Sequence, residues 1–173
     1  MRKLFLTLAL LTLPLMGGAA LAASDNGVVR SVDTRTGILQ LADGARFSPA
    51  LIESKLKFSP YIREVVVIGE ERPYIVALVQ IDMDNVGSWA EINRLPFTTF
   101  KDLSRKPEVY ELTAKEVARV NQDLPKVAQI RRFALFDKEL DADDDELTRT
   151  QKVRRSTIVV KYKDMLEELY IDE

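Results

Sequence analysis

The chain has 173 residues, 46% hydrophobic and 30% charged, with 25 Lys and Arg against 27 Asp and Glu for a net charge of −2. That length and balance suit one soluble globular domain with a small appendage, and give no support to nucleic-acid binding through bulk charge. Cysteine and histidine are both absent, which excludes disulfides, thiol catalysis, Ser-His-Asp hydrolysis and His-based zinc sites.

In chain order, residues 1–22 read as a secretory signal peptide. Arg2 and Lys3 precede an apolar run from Leu4 to Met16, and Ala20-Leu21-Ala22 supplies a small-residue cleavage site. The expectation is export to the periplasm, with an uncleaved anchor as the alternative. Residues 23–42 follow as an expected β-hairpin: Val28 to Asp33 alternates, Thr34-Arg35-Thr36-Gly37 is a turn, and Ile38 to Leu41 is the return strand.

Residues 43–173 form the expected main domain. Ser48 and Pro49 are an N-cap and first-turn pair, so a helix is predicted over 50–58 with Leu51, Ile52 and Leu56 buried. Val65-Val66-Val67-Ile68 reads as a buried strand, Glu70-Glu71-Arg72-Pro73 as a turn, and Tyr74 to Ile81 as an antiparallel partner. Helices are predicted around 82–93, which carries the single Trp89, and over 107–122. A third strand is expected over 130–136, then an acidic loop over 137–146. A C-terminal helix places Ile158, Tyr162, Met165, Leu166 and Leu169 on one stripe. The fold class expected is α+β, a small, mostly antiparallel sheet with packed helices.

Asp141, Asp143 and Asp145 alternate in a way that suggests calcium. An EF-hand loop counted from Asp141 needs Gly at its sixth place and Glu at its twelfth, where this chain has Glu146 and Lys152. The expectation is a solvated loop with no metal site.

The segments that point to chemistry are motif-like. Leu41-Ala42-Asp43-Gly44-Ala45-Arg46-Phe47-Ser48-Pro49 runs on through Ile52 to Ile62. Val67-Ile68-Gly69, Arg72-Pro73-Tyr74, Glu108-Val109-Tyr110 and Leu147-Thr148-Arg149-Thr150-Gln151-Lys152-Val153-Arg154-Arg155 follow in order. Together these resemble the C-terminal lid domain of bacterial long-chain acyl-CoA synthetases, of the AMP-binding, adenylate-forming family, over about three quarters of the chain. The first 40 or so residues resemble a small periplasmic protein with a signal peptide.

The resemblance implies an enzyme that uses ATP, Mg2+ and CoA to turn a fatty acid into an acyl-adenylate and then an acyl-CoA. Lys152 matches the lid lysine, a flexible cation that stabilises charge on the α-phosphate and carboxylate oxygens. Read alone, Lys152, Arg154 and Arg155 are solvated charges before a helix. Gly44 matches the loop that closes on the CoA arm, and a plain Asp43-Gly44 turn is the equal alternative. Arg46 and Lys57 are candidates for CoA phosphates, or are ordinary solvated cations.

The large domain that binds ATP, fatty acid and CoA falls outside the resemblance. No cofactor is therefore expected on this chain alone, and no catalysis is expected without that domain. The hinge segment that the family carries upstream is replaced here by the 36–40 hairpin. A chain joining a secreted protein's start to a synthetase's end accounts for a signal peptide beside a cytoplasmic chemistry. The competing reading is a secreted, non-catalytic interaction module that reuses the lid fold.

Overall fold

The computed structural model describes residues 37–171; the expected leader over 1–22 and the expected strand over 28–33 lie outside the described residues. Two short strands open the structure, β1 (Leu39–Gln40) and β2 (Arg46–Phe47), paired antiparallel with Leu39 opposite Phe47. The segment read as a return strand supplies β1, which is joined to β2 by a turn at Leu41–Ala45. The turn closes through Leu41 N–H to Ala45 O at 2.8 Å, and through the Asp43 carboxylate, which accepts from Ala45 N–H at 2.9 Å. Turn chemistry (Asp43, then Gly44 at φ +88°) decides the pairing. Leu39 and Leu41 enter the same core as Phe47.

Helix α1 (Pro49–Leu56) begins where Ser48 Oγ accepts from Leu51 N–H at 3.4 Å and Pro49 fills the first turn. Ile52 and Leu56, four residues apart, face the core. Leu51 is 55% exposed, contrary to the sequence expectation. Adjacent helical residues point about 100° apart, so Leu51 cannot share the face that Ile52 and Leu56 set.

Strands β3 (Ile62–Ile68) and β4 (Ile75–Ile81) pair antiparallel, with Val65 opposite Val79 and Val67 opposite Ala77. Their link shows why Gly69 is needed. A Cβ there would meet Phe47 at 3.0 Å, Ile75 at 3.1 Å and Leu41 at 3.2 Å. Three helices then cross over: α2 (Met83–Ile92), capped by Asp82; α3 (Phe100–Ser104), capped by Thr99; and α4 (Pro107–Gln122). Strand β5 (Ile130–Leu135) returns parallel to β4, giving the order β3-β4-β5. A crossover of that length is what a parallel return requires. Among the described residues, two of the three strand pairings are antiparallel, as expected; the β4–β5 pair is the exception.

The sheet is buried on both faces. Val65, Val67, Ala77, Val79, Phe133 and Leu135 pack toward α1, α2 and α4. Val66, Val76 and Leu78 face the opposite way, onto Phe136, Ile158 and Leu166. Double burial explains why β4 is apolar at every position but Gln80, itself buried, whose side-chain oxygen accepts from Leu140 N–H at 3.3 Å. The second face is covered by α5 (Arg155–Lys161) and α6 (Lys163–Tyr170). The predicted stripe holds, but the helix breaks at Tyr162, whose ring meets Phe136 edge-on at 4.8 Å.

Side chains close the sheet edges. Asn121 donates to Ile130 O and accepts from Ile130 N–H, and Tyr110 donates to Phe133 O. On β3, Val67 N–H donates to the Glu53 carboxylate at 2.8 Å while Val67 O accepts from Arg155. Such capping removes the open template through which edge strands aggregate.

Candidate functional site

The segment 147–154 is a small ladder. Leu147 bridges Val153, Thr148 N–H donates to Lys152 O at 2.8 Å, and Arg154 N–H donates to Glu146 O at 2.8 Å. Its tip turns at Gln151, at φ +58°, whose N–H donates to Thr148 O at 2.9 Å. The Thr148 hydroxyl accepts from Lys152 N–H at 3.0 Å and also meets the Thr150 hydroxyl at 3.0 Å. Both threonines of the motif are therefore spent on the turn. Lys152 projects from it, exposed, and among the described residues no carboxylate lies within ion-pair distance of its ammonium.

Its neighbours are paired. Arg155 bonds Glu53 at 2.6 Å, tying the start of α5 to α1 across the edge of β3. Arg154 pairs with Asp145 at 3.1 Å. Lys57 holds both oxygens of Glu64, at 2.9 and 2.8 Å. Lys152 lines a cleft of about 230 Å³ together with Glu53, Lys57, Glu64, Gln151 and Arg155. The basic triplet read from the sequence thus divides: Arg154 and Arg155 are structural, and Lys152 alone carries an unspent charge among these cations.

Gly44 sits at the exposed tip of the β1–β2 hairpin, where its N–H donates to Leu41 O at 3.0 Å and its carbonyl accepts from Gln40 Nε2 at 3.0 Å. Its positive φ makes it a turn glycine whatever else it does. Arg46, on β2, is exposed. Neither Gly44 nor Arg46 lines the Lys152 cleft.

One group was missed from the sequence. The loop 137–146 was expected to be solvated throughout, yet Glu146 is fully buried. Its carboxylate accepts from Lys161 Nζ at 2.8 Å, Lys138 Nζ at 2.9 Å, Tyr162 Oη at 2.8 Å and Asp141 N–H at 3.0 Å. Asp144 reaches the same two lysines from the solvent side. Burial alone would push the Glu146 carboxyl up. The ammonium groups of Lys161 and Lys138, with Asp141 N–H and the tyrosine hydroxyl, outweigh burial and hold it below the ordinary carboxylate value. The Tyr162 hydroxyl is pushed well up by burial and by that hydrogen bond. Nothing local separates Glu146 from Asp143 or Asp145 in the sequence; its four donors come from residues 138, 141, 161 and 162.

Residues 37–173 match the AMP-binding enzyme C-terminal domain. The chain belongs to this family. Among its relatives, a Mycobacterium tuberculosis protein named as a fatty-acid–CoA ligase, fadD11, is 35% identical over 149 residues, which cover 86% of this chain and 26% of that protein. The long-chain-fatty-acid–CoA ligase FadD15 of Mycobacterium tuberculosis is 28% identical over 153 residues, covering 88% and 26%. This chain therefore spans about a quarter of the length of the curated relatives it matches. The adenylation domain of a carboxylate reductase from Mycobacterium chelonae shares the fold, with a TM-score of 0.62 and 22% identity over 82% of this chain and 20% of that one.

The AMP-binding C-terminal domain match begins at residue 37 and so includes the whole β1–β2 hairpin. Several matched motifs take on structural duties in this domain. Arg72 pairs with Glu167 at 2.6 Å, Tyr74 donates to Leu169 O at 2.8 Å, and the two together hold α6. Val109 is core, and Tyr110 stacks on Phe133 at 4.5 Å.

Proposed function

We propose that this domain is the mobile lid of an ATP-dependent long-chain fatty-acid–CoA ligase, with Lys152 as its adenylating cation. The observation that carries the reading is the exposed, unpaired Lys152 beside the tip of a hydrogen-bonded turn, within a domain of this family. A cation held on such an arm stabilises the charge that develops on the α-phosphate and carboxylate oxygens without any proton transfer. Lysine suits this because its charge is compact and its stem flexible. Once acyl-adenylate has formed, rotation of the lid withdraws Lys152 and brings the Gly44 turn to the CoA arm. Glycine there leaves room for close backbone approach. Arg46, two residues on and exposed, is the candidate for CoA phosphate on this reading. ATP, Mg2+, fatty acid and CoA bind mainly to the large domain on which the lid acts.

The test joins residues 37–173 to the large domain of a long-chain synthetase through that enzyme's own hinge, and times the two half-reactions separately. Lys152→Ala should slow acyl-adenylate formation roughly a hundred- to thousandfold, the usual effect of removing one preorganised charge contact. CoA attack on supplied acyl-adenylate should survive much better. Gly44→Leu should show the reverse pattern. Equal slowing of both halves by Lys152→Ala, or of neither, rejects the assignment.

A further inference from the structure

We infer that Glu146 is the positioning residue of the Lys152 turn, an assignment that rests on the reading of Lys152 above. Glu146 is the one charged residue among the fully buried side chains of the described residues. Its carboxylate joins three separate pieces of chain: Lys138 after β5, the Asp141 amide in the loop, and Lys161 with Tyr162 at the junction of α5 and α6. Its backbone does a second job. Glu146 N–H donates to Asp141 O at 3.1 Å, and Glu146 O accepts from Arg154 N–H at 2.8 Å. That last bond is the base of the ladder whose tip is Lys152. Side chain and main chain of one residue thus fix the turn to the sheet and to α5 together.

Two physical arguments favour positioning over bulk stability. A buried ion cluster is weak evidence for stability, because desolvation consumes most of the attraction, and apolar replacements are often as stable. What such a cluster does supply is a single geometry, since each donor has one place to go. The cluster also balances its own charge. Glu146 and Asp144 against Lys138 and Lys161 leave no surplus cation, so an incoming anion has Lys152 rather than these lysines to find.

The test is amide hydrogen exchange by NMR on the intact chain, with no adenylation chemistry involved. In Glu146→Gln, protection of the Thr148, Lys152 and Arg154 amides should fall at least about tenfold, as expected for loss of a buried charge-assisted hydrogen bond. Amides of β4 should lose clearly less protection than these three. Tyr162→Phe, which removes one of the four donors and little volume, should loosen the same three amides by a smaller factor, about threefold. Unchanged protection in the turn overturns the proposal. So does an equal loss in the turn and in β4, which is what a merely structural role gives. Should Glu146→Gln not fold, Tyr162→Phe decides by the same two criteria. Failure of the Lys152 half-reaction test with a Glu146-dependent turn counts against the function, not against this positioning.

Discussion

At the scale of single residues, burial separates side chains that composition treats alike. Phe136 is fully buried on the second face of the sheet, against the Tyr162 ring. Phe136→Ala should cost about 3–5 kcal/mol in chemical denaturation, the usual range for deleting a core aromatic ring. Leu51→Ala should stay within about 0.5 kcal/mol, because that side chain already faces water. A loss of several kcal/mol at Leu51 would show that its face is covered. Acid reads out Glu146. Its folded carboxyl is held below the ordinary value, so its contribution is present above the unfolded value of about 4.3 and is lost as pH falls through the folded one. Wild-type stability should therefore drop more steeply below about pH 4 than that of Glu146→Gln. Parallel acid curves for the two proteins would contradict the assignment. Asp137, held low by Lys101, contributes an acid-sensitive background of the same sign to both.

Among the elements, what the sequence makes legible is what local pattern determines. The apolar runs of β3 and β4, the Ser48-capped start of α1 and the Pro107 start of α4 are written within a few residues, and each appears where expected. Lys152 was singled out by the family resemblance, and its role stays the proposal made above. Four features were not legible. The pairing of β1 with β2 rests on turn chemistry at Asp43 and Gly44. Helix α3 is five residues long and shows no periodicity. The break at Tyr162 follows from that ring's contacts with Phe136 and Glu146, both distant in sequence. Burial of Glu146 is set the same way. Asn121 gives an element-scale test, since its amide satisfies both backbone groups of Ile130 at the free edge of β5. Asn121→Ala should cost about 1–3 kcal/mol by leaving those groups unpaired. It should also raise the tendency to aggregate through that edge. Unchanged thermal stability and unchanged light scattering would show that the edge does not need this cap.

For the whole molecule, the decisive fact is proportion. The chain covers about a quarter of the fatty-acid–CoA ligases it matches, and its own sheet is closed on both faces by its own helices. A domain so closed folds on its internal contacts, yet adenylation needs far more than one cation. Rate in such chemistry comes chiefly from holding the carboxylate and the α-phosphate in line, with the nucleotide's metal and donors preorganised around them. On the proposed reading, Lys152 adds charge stabilisation to a geometry that must already exist. The 230 Å³ cleft it lines is smaller than the roughly 300–1,000 Å³ of small-ligand pockets, and the other charged groups there, Lys57 with Glu64 and Arg155 with Glu53, are already paired. The intact chain, supplied with fatty acid, ATP, Mg2+ and CoA, should therefore make no acyl-CoA above a control without protein. The measurement is mass-spectrometric detection of acyl-CoA and of AMP over long incubation. Product that appears with the wild-type chain and disappears with Lys152→Ala would mean that the domain positions substrates by itself, and the division of labour between lid and large domain would have to be redrawn.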